Sequence, residues 1–479
     1  GMYNYSYSSP TLTNVTFSGN QAIGQVGSNG LGGGVFIEDY SNPTLTNVTF
    51  SGNSAQSGGG IFVWSGNPTI RNSILWGNTA SNLGAQIYNA IGTPSVSYSV
   101  IDGGYAGGTN ITNDPLLGTL NNYGGYTETI PLLPGSSAIN TGNDATCAAT
   151  DQRGIPRPQG SACDIGAYEM QIILLAVPNG ATSGLCESWS NACELRYALT
   201  SAVSGQEIWV AAGTYKPTTG TDRTVTFQLK EGVALYGGFD GTETLLSQRD
   251  PATNITILSG DLNGDDISSV QWDEPTRADN SSNVVIGATG ATLDGFTITA
   301  GNANGTDNKY YGGGMYNMSS NPTLANITFS NNSAKYYGGG MYIENSSPML
   351  TNVNFSGNDA ANSGGGVYNH TSNTTLTDVT FNSNSAIWGG GLHNVGGSPI
   401  LTNVTFNSNS AHNAGGIYTE SGSPILTNAT FTGNSAVNDG GGMFNHTSNP
   451  TLTNVTFSGN SAQIGGGMHN VGSNPIMMN

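Results

Sequence analysis

The feature that most constrains this chain is a repeat. The stretch GGGMYNMSSNPTLANITFSNNSA, from Gly312, recurs to the end of the sequence, and its Phe falls at Phe329, Phe355, Phe381, Phe406, Phe431 and Phe457, at spacings of 26, 26, 25, 25 and 26. The same unit surrounds Phe17 and Phe50 and returns in degenerate form at Leu75. A period of 25 or 26 residues is too short for paired-helix repeats, and the 71 Gly and 56 Asn displace good helix formers. Short runs of Thr, Val, Ile, Phe and Tyr between Gly and Asn-Pro or Ser-Pro turns read as strands. Several strands per repeat, with no interval long enough for a helix, predict one turn of a parallel β-solenoid. Each coil pairs in register with the next at about 4.8 Å.

The alternation within Leu-Thr-Asn-Val-Thr-Phe puts Leu, Val and Phe inward and Thr outward. Leu and Val are three apart, so the period-2 pattern breaks at the Asn between them. That break predicts a bend, for which Asn tolerates left-handed backbone. Stacking aligns Asn47, Asn326, Asn352, Asn403, Asn428 and Asn454 in one column, interrupted by Asp378. A second column follows each Phe by three: Asn332, Asn358, Asn384, Asn409, Asn434 and Asn460. Amides stacked at this spacing hydrogen-bond along the column, so both columns are expected to be scaffold. Many of these Asn also match Asn-x-Ser/Thr, but the bend explains them without glycosylation.

After each Gly run comes an aliphatic or Met residue, expected inward, and then an aromatic or His: Tyr316, Tyr342, Tyr368, His393, Tyr418, Phe444 and His469. Alternation predicts that this second column points outward, where it covers neighbouring strands, packs against another rod or stacks on sugar rings. A longer period is also present. Glu344, His370 and Val395 share a coil position that Glu420, His446 and Val471 repeat 76 residues later. The array therefore reads as a duplication of three-coil blocks, a pattern that suits a scaffold or binding face better than a catalytic site. All five His lie in the array, and most are expected outward or in turns without an adjacent carboxylate, as surface residues.

Charge narrows the function. The 11 Lys and Arg against 30 Asp and Glu give a net charge of -19, which leaves nothing to neutralise phosphates and excludes nucleic-acid binding. No apolar stretch reaches the ~18 residues of a membrane helix; the longest candidate is Met170–Val177. An export signal is expected outside the given sequence.

Residues 113 to 169 differ in character from the repeats. They include Asp114-Pro-Leu, Leu133-Pro-Gly-Ser-Ser-Ala-Ile, Asp151-Gln-Arg-Gly and Asp164-Ile-Gly-Ala-Tyr-Glu169. This segment resembles the terminal segment of bacterial secreted right-handed β-helix proteins of the choice-of-anchor type. Residues 191 to 203 read as an amphipathic helix with Asn191 as N-cap and Glu194 completing a capping box. With the EIWVAAGTYKP that follows, it resembles the opening cap of pectin-lyase-like β-helices. The Gly-Gly-Gly-aliphatic and Phe-x-x-Asn repeats are similar to those of chlamydial polymorphic outer-membrane proteins, with a third Gly where Ala is usual.

The expected architecture is therefore an all-β, right-handed parallel β-helix with one short capping helix. Residues 1-100 are the terminal coils of a first β-helix, and 101-169 its closing segment. Residues 170-206 form a junction and the capping helix of a second β-helix, 207-311 its irregular opening coils and 312-479 its regular coils. The sequence starts and stops inside repeat units, so it reads either as an excerpt of a longer rod or as a subunit whose open ends stack head to tail into filaments.

Cys147, Cys163, Cys186 and Cys193 allow three pairings; proximity favours Cys147–Cys163 and Cys186–Cys193, which suit an exported protein. Sugar-cleaving chemistry needs a carboxylate pair, or carboxylates holding calcium beside a base, on adjacent coils. The regular coils hold one base, Lys335, among scattered acids, and no catalytic site is expected. Asp261, Asp265 and Asp266 are a candidate Ca²⁺ cluster; no other cofactor is expected. The sequence points to an extracellular bacterial structural protein, a rod or filament subunit with a scaffold or adhesive role. Its expected partners are copies of itself end to end, and surface polysaccharide. The alternative is a glycan-binding adhesin using the aromatic column, and a polysaccharide lyase or hydrolase stands third.

Overall fold

A computed structural model describes residues 1–24, 29–306 and 310–479. The chain folds into two units, Gly1–Ile172 and Ile173–Asn479. Both are parallel β-solenoids, in which each strand pairs with its equivalent about one repeat away.

In the first unit, three four-stranded parallel sheets line the coils. One contains Met2–Asn4, Val35–Ile37, Ile61–Val63 and Ile87–Asn89. In another, Phe17, Phe50, Leu75 and Ile101 fall in register. The closing segment folds back on this unit and is held by buried polar groups. Asp151 accepts hydrogen bonds from the backbone of Arg153 and Ile155 and pairs with the Arg153 guanidinium at 2.8 Å. Glu169 pairs with Arg157 at 2.7 Å and also accepts from the Gln159 and Asp164 backbone N–H groups. Burial pushes the Glu169 carboxyl up to about 7 and Asp164 up to about 6. Thus the Asp-Gln-Arg-Gly and Asp-Ile-Gly-Ala-Tyr-Glu stretches are complementary halves of one network. The segment also caps the bend: the Asn47 amide donates to the Asp164 and Gly166 carbonyls, and its oxygen accepts from Ala148 N–H. Cys147 and Cys163 are disulfide-bonded.

The second unit opens with a helix at Leu195–Ser201, whose Leu195, Ala198 and Leu199 are buried against the first coil. It starts later than the sequence predicts. Asn191 is not its N-cap; the Asn191 side-chain oxygen accepts from the Ser188 N–H and hydroxyl and closes a 3-10 turn at Trp189–Asn191. Residues 192–194 are held extended by two backbone hydrogen bonds with Ala181 and by the Cys186–Cys193 disulfide, so helical backbone begins only after Glu194. The Leu293–Thr299 run is two strands, Thr292–Asp294 and Phe296–Thr299, because Gly295 turns between them with φ 85°.

From Met315 onward the coils repeat with little variation. Met315–Met318, Met341–Glu344, Val367–His370, Leu392–Val395, Ile417–Glu420, Met443–His446 and Met468–Val471 form one parallel face. The Phe column is buried from Phe329 to Phe431 and half-buried at Phe457, and successive rings stack with centroids 4.7–5.0 Å apart. Where another coil follows, the third Gly of the run is a steric requirement. A Cβ at Gly366 would lie 2.6 Å from the Gly391 carbonyl and 2.8 Å from the Phe381 ring.

Both Asn columns are hydrogen-bonded, in opposite senses. In the buried column each side-chain N–H₂ donates to the next coil's Asn oxygen at 2.9–3.0 Å and to a Phe or Ile carbonyl of the preceding coil. The same oxygen accepts a backbone N–H from the coil before it. The bend column has φ of 52–57°, is exposed, and donates backward, as from Asn352 to Asn326 at 2.7 Å. Its chains end on carboxylates: Asn326 donates to Asp294, and Asn454 to Asn428 to Asn403 to Asp378. A carboxylate accepts but has no N–H to pass on, so Asp378 breaks the ladder above Asn352.

Candidate functional site

The aromatic column does not form the open face expected from alternation. It points away from the lumen but is covered: Tyr342 is 5% exposed, Tyr368 9%, His393 6%, Tyr418 6% and Phe444 8%. Only its end members, Tyr316 and His469, are half-buried. The cover comes from the preceding coil, where Tyr311 stacks on Tyr342 at 5.0 Å, Tyr337 on Tyr368 at 4.5 Å, and Trp388 meets Tyr418 edge-on at 5.2 Å. His393 lies edge-on between Tyr368 and Tyr418, neither ring nitrogen has a hydrogen-bond partner, and burial lowers it to about 3. The column is a second apolar seam along the coils of the second unit.

Three histidines have carboxylate partners, contrary to expectation. His370 Nδ1 lies 3.1 Å from Glu344, His446 Nδ1 3.9 Å from Glu420 and His469 Nδ1 3.0 Å from Asp439. The first two follow from register, which sets Glu344 beside His370 and Glu420 beside His446 on adjacent coils. Glu344 also accepts from the Tyr342 hydroxyl at 2.9 Å.

The candidate calcium cluster is also rearranged. Asp261 and Asp265 are joined by Asp279, with one carboxylate oxygen of each lying within 4.8 Å of the others. Asp266 faces elsewhere, pairing with Arg277 at 2.9 Å and accepting from the Asn280 amide at 2.9 Å. Arg277 is 2% exposed and ties this loop to the coils through the Gly301 and Asn331 carbonyls, both at 3.0 Å. A buried guanidinium needs a carboxylate more than an exposed turn does, which decides where Asp266 goes. Burial raises the Asp266 carboxyl and lowers the Arg277 guanidinium.

The same loop carries a feature that no spacing revealed. The Trp272 carbonyl accepts from the Asn302 and Asn304 side chains at 3.1 and 3.0 Å, which fixes the Trp272 backbone beside the opening coils. Lys335 is placed by its backbone N–H, which donates to Ala303 at 2.9 Å. Its ammonium lies 5.1 Å from the Trp272 ring centroid, 5.4 Å from Tyr310 and 5.9 Å from Tyr336. Tyr310 and Tyr336 meet edge-on at 5.1 Å, and Tyr336 is 39% exposed. Three aromatic rings and a cation thus converge at the surface.

The family described as a protein of unknown function (DUF1565) matches residues 194–388, and the Chlamydia polymorphic membrane protein repeat matches residues 47–63. No curated protein matches the chain. Among solved structures, the pectate lyase Pel9A is similar at 13% identity over 63% of this chain and 78% of its own, with a TM-score of 0.36. The alginate lyase AlyGC is similar at 11% identity over 99% of this chain and 68% of its own, with a TM-score of 0.25. The Azotobacter vinelandii mannuronan C-5 epimerase A-module is similar at 13% identity over 58% of this chain and 94% of its own, with a TM-score of 0.21. At these values the likenesses carry no functional argument, and the matched families are what this chain is similar to.

Proposed function

We propose that this chain is a structural rod, a scaffold on or beyond a bacterial cell surface. The observation that carries the reading is the unbroken ladder from Asn332 to Asn460, buried as far as Asn434, which runs beside the Phe stack through six coils with one repeated geometry. Such self-complementary coils make length and stiffness the property that the sequence maintains. The two disulfides fit an oxidising, exported setting. The polymorphic membrane protein repeat match and the -19 charge fit a soluble surface element.

Electron microscopy of the purified protein, with diffraction from aligned samples, tests this. Rods with a repeat near 4.8 Å along the axis are expected, and end-to-end filaments would extend the role to self-assembly. Steady release of reducing ends or unsaturated products from acidic polysaccharides would overturn the structural reading in favour of an enzyme.

A further inference from the structure

Lys335 is unusual among the charged groups. Of the ten described Lys and Arg, nine place the charged group on a protein oxygen. Arg153, Arg157, Arg196, Arg249 and Arg277 do so on carboxylates. Arg71, Arg223, Lys216 and Lys230 do so on hydroxyl or carbonyl oxygens. Among the described residues, the Lys335 ammonium has only aromatic rings around it, in a chain with 30 acidic residues to choose from. A cation over partly exposed rings gains about 0.5–1 kcal/mol per contact, which is weak enough for an anion to take the ammonium instead. Trp272 and Tyr310 are half-buried and Tyr336 is 39% exposed, so part of each ring is open to solvent beside the ammonium.

We propose that Lys335, Trp272, Tyr310 and Tyr336 form a binding site for a hexuronate, a pyranose bearing a carboxylate. The ammonium pairs with the carboxylate, and the rings pack against the C–H faces of the sugar. The site lies where the loop carrying Trp272 meets the first regular coils, beside Tyr311 and Tyr337, which Tyr336 contacts at 6.3 and 6.2 Å and which cover the aromatic column. The chain's net negative charge opposes a polyanion at low salt; at ~0.15 M this repulsion is screened beyond about 8 Å, while the direct contact persists.

Calorimetric titration of the intact protein with a galacturonate oligomer and with its methyl ester, at that salt, tests the proposal. The free acid is expected to bind about tenfold or more tighter than the ester, the scale of one charge-assisted hydrogen bond. Lys335→Gln should remove that difference, Lys335→Arg should keep it, and Trp272→Ala should weaken both ligands. Melting temperatures within a degree or two of the parent's establish that the variants fold. Absence of saturable binding by the parent, equal affinity for acid and ester, or Lys335→Gln binding as the parent does would each overturn the proposal.

Discussion

Replacing Asn384 by Ala isolates the energetic weight of the buried ladder. The Asn384 side-chain oxygen accepts the Asn358 amide and backbone N–H groups, both at 3.0 Å, and its N–H₂ donates to Phe355 O and Asn409 Oδ1, both at 2.9 Å. Asn358, Asn384 and Asn409 are each 0% exposed. Ala leaves two buried donors without partners at about 1–3 kcal/mol each, so the expected cost is about 2–6 kcal/mol. Asn403→Gly is the matched control. It removes the corresponding amide from the exposed ladder, where water replaces the bonds, and Gly keeps the φ of 57° without strain, so about 1 kcal/mol or less is expected. Asn384→Asp keeps the volume but sets a carboxylate against two acceptors, and should cost at least as much as Ala. Because coils of a solenoid open locally, hydrogen-exchange mass spectrometry of peptides spanning 376–392 is the appropriate assay. A cost of 2 kcal/mol accelerates exchange there by about 30-fold. If Asn384→Ala accelerates it no more than Asn403→Gly does, the ladder is ornamental and the reasoning fails.

Other expected outcomes follow from single sites. His393 has its ordinary value of 6.5 when unfolded and about 3 when folded, so the unfolded chain binds the extra proton; its stability contribution is complete above pH 6.5 and falls by about 1.4 kcal/mol per unit down to about 3. His393→Phe, which installs the residue found at 444, should gain about 2 kcal/mol at pH 5 and remove that slope from a denaturant titration. Asp378→Asn should restore a donor toward Asn352 at unchanged φ and stabilise the rod by about 0.5–1 kcal/mol; a destabilised variant would show that the break is required. Reducing the disulfides should cost about 3 kcal/mol for Cys147–Cys163, with a separation of 16, and about 2 kcal/mol for Cys186–Cys193, with a separation of 7. Loss of cooperativity in residues 113–169 would report the former.

What the sequence reveals and conceals follows from the period. Columns repeating every 25 or 26 residues, such as Phe381 over Phe406, are legible because register alone brings them together. Alternation also gives the direction of Tyr368 correctly, away from the lumen. It does not say what lies over it, because the position that Tyr337 occupies changes character from coil to coil: Tyr311, Tyr337 and Trp388 are aromatic there, whereas Ser363 and Asn413 are not. The Glu344–His370 contact is legible in the same way as the Phe column, because their shared coil position sets them side by side. Trp272, Lys335 and Asp279 are different. An irregular loop, anchored by Arg277 and by the Asn302 and Asn304 amides, brings Trp272 to Lys335 and Asp279 to Asp261, and no periodicity connects those positions.

The 76-residue offset has a further consequence for how such a protein changes size. Excising residues 345 to 420 would bring Asn332 against Asn434, Phe329 against Phe431 and Glu344 against His446, so the buried ladder, the ring stack and this ion pair would continue across the seam, while Ser346 and Tyr368 would be replaced there by Gly422 and Phe444. The second unit would shorten by three coils, about 14 Å. Reach is therefore a discrete variable that recombination between like blocks can alter in whole steps, leaving both caps as they were.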